Sequence, residues 1–216
     1  MSNWIQTGLS LAESKKAIIL LHGRGASVES ILSLTSYLDL ADFSVFAPQA
    51  AQRTWYPYGF MASDEGNLSA LNSSLRQVSL LVQFLNENGK APEQIYVMGF
   101  SQGACLSLEF TARNAQKFGG VIAFTGGLIG ENLEEEKYKG DFQGTPILLS
   151  GSAHDMHGTL FHDFCHIIFQ NITRFSFVLL KQLLVLLHRN GISIDHRYIV
   201  SGFSMAGIIY SYRDDV

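Results

Sequence analysis

The fold class this sequence predicts is α/β, a mostly parallel sheet with helices on both faces. Three observations carry that expectation. Short apolar runs rich in β-branched and aromatic residues alternate with longer stretches of helical spacing, which is the order of a parallel sheet with crossover helices. The run at 17–21 (AIILL) is apolar at every position rather than at alternate ones, as strands buried on both faces are. The residues able to do chemistry follow directly after such runs, where sheets of this kind bind ligands.

Taken in order, the strand at 17–21 ends in His22-Gly23 and is followed by helical spacing over 27–38. Residues 43–47 (FSVFA) form the next expected strand, closed by Pro48. A helix is expected over 68–85, where Leu71, Leu75, Val78, Leu81, Val82 and Leu85 make a stripe of period 3.6 and Gly89 supplies a stop. Residues 94–98 (QIYVM) read as a strand, 102–113 as a helix, and 120–124 and 146–149 as two further strands. Residues 179–187 look like a helix, Asn190-Gly191 its end, and 192–200 a final strand.

The chain has 216 residues, which suits a single domain able to bury a core. Hydrophobic residues make up 47% and charged residues 16%, so a globular rather than a disordered chain is expected. A net charge of -4 gives no electrostatic footprint for nucleic acid or an anionic membrane. Cys105 and Cys165 have neither CxxC nor metal-ligand spacing and read as free thiols. Polar and acidic residues stand in the first sixteen positions where a signal peptide would be apolar, so a cytoplasmic protein is the default expectation. Asn171, Arg174 and Lys181 interrupt the apolar stretch at 167–187, which therefore reads as a buried helix and not a membrane span.

Gly99-Phe100-Ser101-Gln102-Gly103 follows a predicted strand and opens a predicted helix. That is the setting of a nucleophile elbow, with Ser101 at the tip of a sharp turn and at a helix N-terminus that favours developing negative charge. The loop His22-Gly23-Arg24-Gly25 can point a backbone N–H inward as one oxyanion donor, and Gln102, the residue after the nucleophile, supplies the second. His22 precedes Ser101, against the chain order serine, acid, histidine, and reads as a hydrogen-bonded loop residue. Arg24 enters through its backbone; the direction of its side chain stays open. Asp155, in the loop after the run at 146–149, is in the right place and order for the acid, although any Asp there is also a common turn residue.

These segments together resemble the phospholipase/carboxylesterase family of α/β hydrolases, which includes acyl-protein thioesterases and small bacterial esterases. The similar stretches are LLHGRGAS at 20–27, APQA at 47–50, TWYPYGF at 54–60, GFSQGA at 99–104, GGLIG at 126–130, and Gly144-Thr145-Pro146 leading to Asp155. The resemblance implies an α/β-hydrolase fold, Ser101 as nucleophile, Asp155 as acid, and Arg24 and Gln102 as backbone oxyanion donors. It implies hydrolysis of a small-molecule ester or thioester, with no cofactor and no metal. Residues 55–60 are similar to the family's loop near the active-site mouth, or are simply packed aromatics.

After Asp155 the resemblance stops. The family's Gly-His pair, source of the triad histidine, has no counterpart, and Met205 and Ala206 stand where it would fall. Residues 156–216 contain neither Glu nor Pro, and every histidine except His22 lies from His154 onward. A divergent segment, an alternative C-terminus and a shifted reading frame are the three explanations. His157, His162, His166, His188 and His196 each read as core or surface residues, so no base is assigned. Two functions follow as alternatives: an active serine esterase, or an inactive hydrolase-like domain kept for binding or formed as an aberrant product.

Overall fold

The computed structural model describes residues 4–132 and 134–150. The expected segments at 167–187, 179–187 and 192–200, together with Asp155, Cys165 and the histidines from His154 onward, lie outside the described residues.

The described residues build a six-stranded sheet in the order β1-β3-β2-β4-β5-β6. The strands are β1 (Trp4–Gly8), β2 (Lys16–Leu21), β3 (Phe43–Pro48), β4 (Ile95–Phe100), β5 (Gly120–Phe124) and β6 (Ile147–Ser150). All neighbouring pairs are parallel except β1 with β3, which is antiparallel. The all-apolar character of β2 has the expected cause. Ala17, Ile19 and Leu21 face one core, and Ile18 and Leu20 face the other. The first core lies under α2 (Asp64–Glu87) and α3 (Gln102–Arg113), and the second under α1 (Val28–Leu32). Helices thus cover both faces, as the sequence predicts.

Three elements differ from expectation. The strand β1 has no apolar run to announce it, since four of its five residues are exposed at the sheet edge. The helical spacing over 27–38 is α-helical only through Leu32 and tightens to a 3₁₀ helix over Ser33–Tyr37. The hydroxyls of Ser30, Ser33, Thr35 and Ser36 each donate to the carbonyl three residues back, at 2.7–2.8 Å, and so compete with the α-helical pattern. The helix expected over 68–85 begins earlier, at Asp64, with Asp64 and Glu65 favourably placed in its first turn. Its end is as expected. Gly89 N–H donates to Asn86 O and Lys90 N–H to Leu85 O, both at 3.0 Å, a Schellman cap.

The connectivity places the site. The chain leaves β2 through α1 toward β3 on one side of the sheet, and leaves β4 through α3 toward β5 on the other. The loops after β2 and β4 therefore diverge, which opens a crevice at their carboxyl ends. Register keeps this edge level: Leu21 pairs with Gly99, Phe100 with Phe124, and Phe124 with Ser150.

Candidate active site

The turn from β4 into α3 carries Ser101 at φ 52°, ψ −118°, a conformation L side chains rarely adopt. Glycines on either side make the turn possible. A Cβ on Gly99 would lie 2.1 Å from Gly103 O, and one on Gly103 would lie 2.1 Å from Leu21 O. The first would close the turn, and the second would push α3 off β2. The Ser101 amide donates to Phe124 O at 2.8 Å, which pins the turn to the end of β5. The Ser101 hydroxyl makes no capping bond to its own helix. It stands, half-buried, at the N-terminus of a 12-residue helix.

Across the switch point lies the loop 22–25. Gly23 sits against the turn: a Cβ on it would approach Phe100 O at 3.5 Å and Ser101 Cβ at 3.6 Å. Among the described residues no acceptor pairs with the Arg24 amide. Gln102, as the first residue of α3, has no intrahelical acceptor for its N–H. The two expected donors thus sit on the two loops that border the crevice.

His22 takes the structural role expected of it. It is fully buried. Its Nδ1 lies 2.7 Å from Gly23 O, and its Nε2 accepts from the Ala50 N–H at 3.1 Å, an arrangement that requires a neutral ring with its proton on Nδ1. Burial pushes its pKa below the usual imidazole value, against the pull of the Gly23 carbonyl. Trp55 covers the ring at 4.9 Å and donates its indole N–H to His22 O at 2.7 Å. With both ring nitrogens engaged, His22 cannot serve Ser101.

The segment 54–58 joins the two loops, and sequence reasoning missed the side chains that do it. The Gln102 carboxamide is buried. Its Oε1 accepts from Trp55 N–H at 3.0 Å, and its Nε2 donates to Tyr56 O at 2.7 Å. The open question of the Arg24 side chain is answered here. Its guanidinium donates to Pro57 O at 2.6 Å, to Tyr58 O at 2.5 Å and to Thr54 Oγ1 at 3.2 Å. Trp55 and Tyr56 are packed residues, each 1% exposed, whereas Tyr58 is 59% exposed. The reading as packed aromatics therefore holds for Trp55 and Tyr56.

Two further groups brace the turn. Cys105 is free and buried, and burial pushes its thiol pKa up, so it is no competing nucleophile. Its sulfur accepts from Gly127 N–H at 3.4 Å. Glu109 is buried in α3, paired with Arg113 at 2.5 Å, and accepts from Ile129 N–H at 2.9 Å and the Tyr138 hydroxyl at 3.2 Å. It holds the loop after β5 against the helix. A lone Glu between apolar residues at 108 and 110 gives no signal of this in the sequence. Among the described residues no cluster of His, Cys, Asp or Glu could hold a metal ion, and no helix is long and apolar enough to cross a membrane.

Comparison with known proteins extends the picture. A family model described as phospholipase/carboxylesterase matches residues 9–159. The crystal structure of a phospholipase/carboxylesterase from Dyadobacter fermentans superposes with a TM-score of 0.78 at 38% identity, covering 89% of this chain and 97% of that one. Arabidopsis thaliana SOBER1 superposes at 0.63 with 18% identity, covering 81% of this chain and 98% of that one, a likeness of fold. Acyl-protein thioesterase 1 of Saccharomyces cerevisiae is 27% identical over 147 residues, covering 57% of this chain and 63% of that protein. The chain therefore spans less than two thirds of the length of that yeast relative.

Proposed function

Because the chain belongs to the phospholipase/carboxylesterase family and has the α/β-hydrolase fold, we propose that it cleaves carboxylic esters or thioesters through an acyl-enzyme on Ser101. The observation that carries this reading is the strained conformation of Ser101 at the switch point of the sheet, with its hydroxyl free of its own helix. Backbone strain of this kind persists where the surrounding structure enforces it, and here glycines and the Phe124 carbonyl do so.

In the proposed mechanism Ser101 Oγ attacks the acyl carbonyl while a histidine takes its proton. The developing oxyanion is held by the amides of Arg24 and Gln102, and Asp155 orients the histidine. Water then attacks the acyl-enzyme and releases the acid. The histidine is not His22, whose ring nitrogens are both bonded elsewhere. The base must come from the chain beyond residue 150. No metal or organic cofactor takes part. The name of the yeast relative points to a thioester on a protein, and the Dyadobacter protein's to a carboxylic ester. The reading is of a single-domain, cytoplasmic enzyme.

One observation favours a second reading, an inactive hydrolase-like domain: the family's Gly-His pair is missing from the sequence. Loss of the base can cost on the order of 10⁶ in kcat. A fluorophosphonate probe separates the two. Fast, stoichiometric labelling of Ser101, with a burst of p-nitrophenol from a short-chain ester that Ser101→Ala abolishes, is expected of the enzyme. A folded chain that resists the probe is expected of the inactive domain.

A further inference from the structure

Arg24 follows β2 and Gln102 follows β4, on either side of the crevice. Their relative placement therefore depends on what ties those loops together. One hydroxyl ties the two side chains directly. Thr54 Oγ1 accepts from the Arg24 guanidinium at 3.2 Å, and its own proton lies between Tyr56 O at 2.9 Å and the Gln102 carboxamide oxygen at 3.2 Å. The other bonds of both side chains run to the backbone of the same five residues, 54–58. The Gly25 amide adds a bond of 2.7 Å to Arg53 O, just before that segment. Apart from the local bond from Thr54 to Tyr56 O, these contacts join residues distant in sequence, so they do not follow from local structure.

We propose that Thr54 is a positioning residue for the oxyanion hole, its hydroxyl setting the spacing of the Arg24 and Gln102 amides through their side chains. The inference rests on the serine hydrolase reading above. An oxyanion hole works only when its donors already stand where the tetrahedral oxygen will be. Small displacements are felt in the transition state and not in substrate binding. The effect of Thr54 passes through the two residues it joins.

The test compares Thr54→Val, which keeps shape and removes the hydroxyl, with Thr54→Ser, which restores it. Ser74→Ala is the structural control. Ser74 Oγ donates to Trp55 O at 2.7 Å, so its loss weakens the same segment from the α2 side without touching the tie. On p-nitrophenyl butyrate, Thr54→Val is expected to lower kcat about tenfold, short of the ~10²–10³ for loss of a whole donor. KM should stay within about twofold, because ground-state binding does not use the tie. A trifluoromethyl ketone, which forms a tetrahedral oxyanion adduct, should bind weaker by the same factor as kcat falls. Thr54→Ser should recover most of both, and Ser74→Ala should lower the melting temperature with kcat intact. Unchanged kcat in Thr54→Val, a change in KM alone, or an equal fall in Ser74→Ala overturns the inference while wild-type turnover keeps the hydrolase reading. A wild type that neither turns over nor takes the probe overturns both.

Discussion

The strain at Ser101 has a consequence that stability measurements read directly. At φ 52°, ψ −118° a Cβ crowds the backbone, and such a conformation costs about 1–3 kcal/mol. Glycine removes the crowding. Set against this, glycine gives the unfolded chain more freedom, which costs about 0.4–1 kcal/mol. The difference spans roughly 0–2.6 kcal/mol and centres on about 1 kcal/mol in favour of Ser101→Gly over the wild type. For a chain of this size 1 kcal/mol corresponds to about 2–4 °C in melting temperature. Ser101→Ala keeps the Cβ and loses no capping bond, so it should stay level with the wild type. Both variants should lose hydrolysis and probe labelling. Trp55 offers the signal for urea or thermal unfolding, being 1% exposed and packed against His22. At an unstrained helix start, serine to glycine costs a few tenths of a kcal/mol. A Ser101→Gly protein less stable than both the wild type and Ser101→Ala would refute the argument that strain is stored at this residue.

Three other predictions use the same measurements. Gly103→Ala places a Cβ 2.1 Å from Leu21 O, against backbone that cannot step aside, and should cost about 3 kcal/mol. Gly59→Ala, where a Cβ meets nothing within 4 Å, should change the free energy of unfolding in urea by no more than about 0.5 kcal/mol. His22 is held neutral with a depressed pKa, so the unfolded chain binds the extra proton first. Its contribution is present above the unfolded value of about 6.5 and is lost as pH falls below it, at up to about 1.4 kcal/mol per pH unit. A urea series from pH 8 to pH 5 should show that slope in the wild type and a shallower one in His22→Asn. Equal slopes would place the titration elsewhere.

Most of the sheet was legible in the chain because its strands are buried on both faces. The runs at 17–21, 43–47 and 120–124 announce themselves by having no polar face, and the structure places strands on them. The glycine pair at 99 and 103 and the serine between them were legible for a similar reason. The requirement for a missing Cβ is local, and the structure shows what each Cβ would strike. Where side-chain hydroxyls compete with the backbone, as at Ser30 to Ser36, periodicity overstated the α-helix.

What the sequence by itself determined, then, is the alternation of buried strands and amphipathic helices, and the turn that carries Ser101. Both are written in the spacing of residues close together in the chain. The tertiary structure alone decided the edge strand β1, whose exposed residues pair with β3 without an apolar pattern. It alone decided that Glu109 anchors the loop after β5, and that Arg24, Thr54 and Gln102 form one network across 30 to 48 residues of chain. Such hydrogen bonds depend on which loops the strand order brings together. That order follows from how the helices pack on the sheet, which no window of the sequence contains.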